Sequence, residues 1–370
     1  MSADEIPQSD QLDGAPHPRH TKTLFGQDAA QSDFLSAYNS DRLHHAWMIT
    51  GPNGVGKATL AWRIARFVLS QPEPNPMFPA QPVSSLDTPD DHPIAKRIDA
   101  LGEPSLYLTR RPWDEKAKRL KAHITVEEIR KLKSFFTLSA ADGGWRVAIV
   151  DAAEEMNTAA ANALLKLLEE PPEKTLILLI CHQPARLLPT IRSRCRILKC
   201  APLAPKDIAA ALTQADFEQS AVSDALAVLA DGSIGRSIEL MAGDGIALYQ
   251  SIVTLVQDAP RMDRDAAMRL ANACVGKDKS ATFQLTLRMF DLFIARLAKF
   301  GALQPQNLAE AATGEANVLA KLAPDLAAAR KWARLSQSLQ GRVQHANAVN
   351  LDPSSVILDM LFKFEETARK

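Results

Sequence analysis

The segment between Ala46 and Leu69 most narrows what this chain can fold into. It runs AWMIT (Ala46–Thr50), then Gly51-Pro52-Asn53-Gly54-Val55-Gly56-Lys57-Ala58, then TLAWRIARFVL (Thr59–Leu69). An apolar strand, a glycine-rich turn and a helix in that order give meaning to the phosphate-loop pattern G-x-x-x-x-G-K-[ST]. Gly51, Gly56 and Lys57 match it. Glycines here, Gly54 included, let backbone N–H groups curl around an anion, and the helix N-terminus and Lys57 add positive potential. The hydroxyl that would ligate magnesium is missing, because Ala58 occupies its place. Thr59 is one residue late, about 100° further around a helix, so its hydroxyl should point elsewhere. Read alone, the segment is also compatible with a tight strand-to-helix turn carrying an exposed lysine.

A working phosphate loop needs an acid at the end of another strand, and then a carboxylate that activates water. RVAIV (Arg146–Val150) ends at Asp151, which supplies the first acid or, alternatively, a loop or helix-start acid. The next residue is Ala152, and the spacing of Glu154 and Glu155 makes them poor substitutes. Two losses point the same way. Backbone donors and Lys57 leave ATP binding open, magnesium is held weakly or not at all, and hydrolysis is poor or nil.

Further runs extend the alternation of strand and helix. Helical spacing covers Asp28–Ser40, a strand falls near Ser105–Leu108, and Thr125 with Glu128 opens a helix in capping-box fashion. Asn157–Glu170 is a helix stopped by Pro171 and Pro172. Thr175–Cys181 and the stretch around Cys195–Cys200 are strands. The prediction is an α/β fold with a parallel sheet covered on both faces. After residue 201 strands cease. Boundaries are expected at a flexible tail (1–22), the α/β domain (23–201, with a Pro-rich insertion at 71–93), a small helical domain (202–245) and an all-α region (246–370).

Composition removes several function classes. Lys plus Arg and Asp plus Glu are each 43, so a chain-wide grip on nucleic acid or anionic membrane is not expected. Four cysteines, none in a CxxC pair, give neither a zinc ribbon nor a dithiol redox site. No apolar leader or membrane-length window is seen. A cytoplasmic protein without a membrane partner is expected.

The segments TLFGQDAAQSDFLSAY, RLHHAWMITGPNGVGKATLAWRIARFVL and VAIVDAAEEMNTAAANALLKLLEEPPEKTLILLICHQPARLLPTIRSRC resemble clamp-loader subunits of the AAA+ class in bacterial DNA polymerase III. Ser193-Arg194-Cys195 is the most specific piece, and the likeness covers most of residues 20–245. It implies an AAA+ P-loop domain followed by a helical lid and an all-α collar used in oligomerisation. It implies that Arg194 reaches a neighbouring subunit's nucleotide as an arginine finger, worth about 10³–10⁵ in rate where measured. It puts Arg236, in Gly232-Ser233-Ile234-Gly235-Arg236, at the sensor-2 position. The cofactor-binding set is then Gly51, Gly54, Gly56, Lys57, Thr59, Asp151 and Arg236, with Arg194 catalytic in trans. Implied partners are delta and gamma/tau subunits in a hetero-pentameric ring, with the sliding clamp and primed DNA met through the complex. The chain would join a polymerase holoenzyme without holding a polymerase site. A self-sufficient AAA+ ATPase in replication or repair is the alternative. Taken without this likeness, Arg194 and Arg236 read as ordinary surface charges.

Many members of this family carry four zinc-binding cysteines after the phosphate-loop helix, whereas residues 70–125 here contain none, so zinc is not expected. RRPWDEKAKRLKAH (Arg110–His123) occupies the place, with basic residues clustered around Trp113. A DNA phosphate contact and a plain solvated hairpin are both open readings.

Overall fold

The apolar runs pair in parallel in a computed structural model of the chain, which describes residues 7–40, 43–72, 82–137, 144–217, 223–276, 278–349 and 351–369. Two units separate by their internal contacts: Met1–Phe217 with Gly232–Gly235, and Glu218–Asp231 with Arg236–Lys370.

The first unit contains α1 (Asp28–Asn39), β1 (Ala46–Thr50), α2 (Lys57–Ser70), α3 (Pro93–Asp99), β2 (Leu106–Arg110), β3 (Trp113–Asp114), β4 (Arg119–Leu120), α4 (Val126–Thr137), β5 (Arg146–Asp151), α5 (Thr158–Glu169), β6 (Thr175–Cys181), α6 (Pro189–Arg192), β7 (Arg196–Lys199) and α7 (Pro205–Gln214). Five strands form a sheet in the order β2-β5-β6-β1-β7, with every pairing parallel. Each central strand is buried on both faces, which is why AWMIT and TLILLIC read as unbroken apolar runs. Alternation decides the sides. Trp47 and Ile49 of β1 join a core with Phe34 of α1 and Leu60, Trp62 and Ile64 of α2. Ala46 and Met48 join the opposite core with Ile129 and Leu132 of α4 and Leu164 and Leu167 of α5.

Local chemistry sets the helix starts. The Asn157 side chain accepts the Ala160 N–H at 2.8 Å and caps α5. Gly56, in left-handed conformation, caps α2 without a side chain. The charged stretch after β2 forms the β3–β4 ribbon. Residues 73–81 of the Pro-rich insertion lie outside the described residues; the part that follows has no regular structure before α3, and its Leu86 is buried in the α2-side core.

The N-terminal segment makes contacts that its composition did not foretell. The Asp10 carboxylate is buried and meets Arg110 of β2 and His17. The His17 ring packs edge-on against Trp62, and Arg19 donates to the Asp99 carbonyl at 3.2 Å. A buried carboxylate is tolerated when cations and donors compensate its lost hydration, and Arg110 and His17 provide this.

The second unit is helical: α8 (Asp224–Ala230), α9 (Ile234–Ala242, its first two residues grouping with the first unit), α10 (Gly245–Val256), α11 (Arg264–Asn272), α12 (Ser280–Leu303), α13 (Glu315–Leu322), α14 (Leu326–Ala348) and α15 (Pro353–Arg369). Phe290, Phe293, Trp332 and Phe364 form its aromatic centre. Fully buried Glu315 accepts from Tyr249 Oη at 2.6 Å and from Arg296 at 2.6 and 3.0 Å. Among the described residues no helix is long and apolar enough to cross a membrane.

Candidate functional site

The phosphate loop leaves β1 at Thr50 and enters α2 at Lys57. Gly51, Gly54 and Gly56 all have positive φ, which side chains rarely adopt. Close approach adds a second constraint. A Cβ on Gly51 would lie 2.4 Å from the Cys200 carbonyl oxygen, and one on Gly54 would lie 2.3 Å from Ser233 Oγ. The Ser233 hydroxyl donates to the Asn53 carbonyl at 2.8 Å, and the Gly235 N–H donates to the Gly54 carbonyl at 3.1 Å. The loop is also tied from the other side. Gln27, buried, donates to the carbonyls of Val55 at 3.0 Å and Ala201 at 2.8 Å, and accepts the Ala201 N–H.

Lys57 is buried, and its Nζ donates to the carbonyls of Gly51, at 2.8 Å, and Pro52. Burial pushes its ammonium down to about 8, opposed by the negative potential of Cys200, Asp151 and Glu154. Asp151 ends β5 and moves the other way. Burial raises its carboxyl to about 8, the charges of Asp10 and Glu155 add to this, and Lys57 opposes it.

The two acids after Asp151 are engaged elsewhere. Glu154 Oε1 accepts the backbone N–H groups of His182 at 2.8 Å and Gln183 at 3.0 Å, beyond the end of β6. Glu155 pairs with Arg111 at 2.7 Å. His182 lies close by, and burial with the Lys57 charge holds its imidazole down to about 4. Cys181, raised to about 12 first by burial and then by Glu154, is a buried thiol and no nucleophile.

The predicted site residues therefore divide. Gly51, Gly54, Gly56, Lys57 and Asp151 come together at the carboxyl ends of β1 and β5. Thr59 is buried within α2. Arg194 sits in the turn between α6 and β7, about a third exposed; it meets Glu169 at 2.7 Å and the Thr190 carbonyl at 3.0 Å. Those partners are separate from the group around Lys57. Arg236 lies half-buried on α9 in the second unit.

Does this set fit a nucleotide? The amides of Gly54, Val55 and Gly56 donate to no backbone carbonyl among the described residues. With Lys57 they suit an anionic phosphate. The magnesium part of the set is incomplete, because Ala58 brings no oxygen.

Gln27, Glu154, Ser233 and Gly235 were not foreseen as site residues. Glu154 carries a visible signal, an acid three residues past a strand-end Asp. The others act through contacts far apart in sequence and leave no local mark.

A phosphate loop after an inner strand of a five-stranded parallel sheet, with helices on both faces, defines an α/β domain of the P-loop class. Residues 26–204 match the family model described as DNA polymerase III, delta subunit. The chain is 40% identical over 151 residues to DNA polymerase III subunit delta' of Pseudomonas aeruginosa, across 41% of each protein. It is 29% identical to the Escherichia coli subunit delta' over 335 residues, 90% of this chain and 92% of that one. The Bacillus subtilis subunit delta' is 33% identical over 215 residues, 57% of this chain and 58% of that one. The chain thus spans less than half of the Pseudomonas relative, and most of the Escherichia coli relative at lower identity. Its similarity is to the delta-prime subunits of DNA polymerase III. Among solved structures, a gamma subunit-related protein of Thermotoga maritima is similar at a TM-score of 0.37 and 17% identity, covering 91% of this chain and 100% of that one.

Proposed function

We propose that this chain is a sliding-clamp-loader subunit that supplies Arg194 to the nucleotide of a neighbouring ATPase subunit and does not itself hydrolyse ATP. Its partners are delta and gamma/tau subunits in a hetero-oligomeric ring, which acts on the sliding clamp and primed DNA in the cytoplasm. Residues 202–245 serve as the lid, with Arg236 as sensor 2. Residues 246–370 serve as the collar.

One observation carries the reading: Glu155 is paired with Arg111, and Glu154 is fixed through Oε1 to two backbone amides, so neither acid occupies the position directly after the strand-end Asp151 from which water would be activated. The absent hydroxyl at Ala58 supports the same conclusion. Arg194 supports the other half. It stands at the surface, restrained by a solvent-accessible pair with Glu169 that costs little to open and by one hydrogen bond to the Thr190 carbonyl. A planar guanidinium suits the spread charge of a transferring phosphoryl group.

Steady-state ATP turnover tests this. The purified chain should show none above background. In a complex assembled with delta and gamma/tau, Arg194→Ala should lower DNA-stimulated turnover at least tenfold while the partners still bind nucleotide. Brisk turnover by the chain alone, lost in Lys57→Ala, would instead establish a self-sufficient ATPase.

A further inference from the structure

We propose that the β3–β4 ribbon is a contact surface for the sugar–phosphate backbone of nucleic acid. It gives this chain a nucleic-acid contact of its own. The proposal rests on the clamp-loader reading only for the choice of primed DNA as the probe.

The argument begins with where charge is left over. The whole chain has a formal net charge of +0, yet six of its basic residues and only two acids fall between Arg110 and His123. The structure sorts these cations into spent and unspent. Arg110 is used by Asp10, Arg111 by Glu155, and Lys118 by Glu115. Lys116, Arg119 and Lys121 make no ion pair among the described residues, and all three are exposed. Asp114, which interacts electrostatically with Arg119 and Lys121, spends its Oδ1 on the N–H groups of Lys116 and Ala117 and so closes the turn, and Glu127 interacts with Lys121 without pairing with it.

The ribbon is two-sided. Trp113 lies opposite Leu120, and Asp114 opposite Arg119. Side chains alternate along a strand, so the half-buried Trp113–Leu120 pair takes one face while Arg119 and Lys121 share the other, about 7 Å apart. The base is anchored. The Lys121 N–H donates to the Pro112 carbonyl at 2.9 Å, and Ile124 bridges in parallel to Met156, just after β5. A fixed ribbon therefore presents two spaced cations on one face and a third at its turn.

This arrangement selects among anionic partners. Protein partners are held chiefly by large apolar or aromatic anchors in desolvated pockets. A membrane surface is gripped by an apolar wedge beside the charges. The exposed part of the ribbon offers neither, since Ala117 is its only exposed apolar residue between Trp113 and Lys121. Exposed point charges without an apolar anchor suit a polyanion, whose phosphates are positioned by such contacts without base reading.

The test uses the full-length chain and a fluorescein-labelled primed duplex with a single-stranded overhang, titrated by anisotropy from 50 to 200 mM salt. Lys116→Glu/Arg119→Glu/Lys121→Glu is compared with Lys206→Glu/Lys299→Glu/Arg330→Glu, which changes net charge equally at other exposed positions. Each lost phosphate contact removes about 0.9 from the slope of log K against log salt. The ribbon variant should therefore lose about 3 in slope, and the control nothing. Unchanged melting confirms that the ribbon variant is folded; should it melt early, the milder Lys116→Gln/Lys121→Gln is read instead. Three results overturn the proposal: no DNA binding by the wild-type chain at 50 mM salt, equal losses in both variants, or loss of polyglutamate binding with DNA binding intact. Assembly with delta and gamma/tau is measured separately. DNA binding without assembly would keep the ribbon proposal and remove the clamp-loader reading.

Discussion

Glu154, three residues past the end of β5, accepts the backbone N–H of His182 at 2.8 Å. The segments after β5 and β6 are joined by this one carboxylate, since Gln183 donates to the same oxygen. An acid that sequence spacing leaves idle is a structural clamp beside the phosphate loop.

Removing that clamp should be costly. Hydrogen bonds to a charged group contribute about 1.5–3 kcal/mol each. With two such bonds, Glu154→Ala should destabilise the chain by about 3–6 kcal/mol, and Glu154→Gln, which keeps an acceptor, by clearly less. Urea unfolding midpoints at constant m-value check the order.

Gly54 should tolerate no side chain. It combines φ +75° with a would-be Cβ 2.3 Å from Ser233 Oγ and 2.9 Å from backbone atoms of Gly235. Left-handed strain costs about 1–2 kcal/mol and overpacking about 1–3 kcal/mol. Gly54→Ala should lose stability in that combined range. Adding Ser233→Gly should recover only part of it, because the Gly235 backbone remains, and a double-mutant cycle by denaturation measures the remainder.

Asp151 sets a pH dependence whose sign follows from its raised carboxyl. Unfolded, it titrates near 3.8; folded, near 8. Its stabilisation is complete below the lower value and fades as pH rises through the upper one. Between those limits the folded state holds up to one more proton, a slope of up to about 1.4 kcal/mol per pH unit. Lys57 stays protonated in both states over most of this window and adds its own slope only above about 8. Wild type should therefore lose ground against Asp151→Asn steadily from pH 5 to pH 7.5. Urea midpoints at four pH values would show it, and a constant difference would contradict it.

In the helical unit, Glu315 is the charge that cannot be spared. It is fully buried and serves Tyr249, Arg296 and the Ala311 N–H. Truncating one partner of a buried pair typically costs about 3–5 kcal/mol, because the other is left uncompensated. Glu315→Ala should lower stability by that amount, read by thermal or urea unfolding.

Much of the first unit is legible in the order of its residues. Thr50 to Lys57 announces a strand, a turn and a helix because glycine spacing and apolar periodicity are local properties. Asn157 caps its helix where the chain marks it, and β5, β6 and β7 fall where their apolar runs lie. Asp10 shows the opposite case. An acidic, proline-bearing stretch looks solvated until Arg110, 100 residues away, turns out to face it.

The sequence alone determined that a phosphate loop joins a buried strand to a helix and that its metal-binding hydroxyl is gone. Those statements depend on residue type and short spacing. Only the tertiary structure decided that Glu154 holds the His182 amide, that Ser233 reaches Asn53 from 180 residues away, and that Asp151 is pushed toward its neutral form. Hydrogen-bond partners and local dielectric are set by which distant segments pack together, and no window along the chain contains both halves of such a contact.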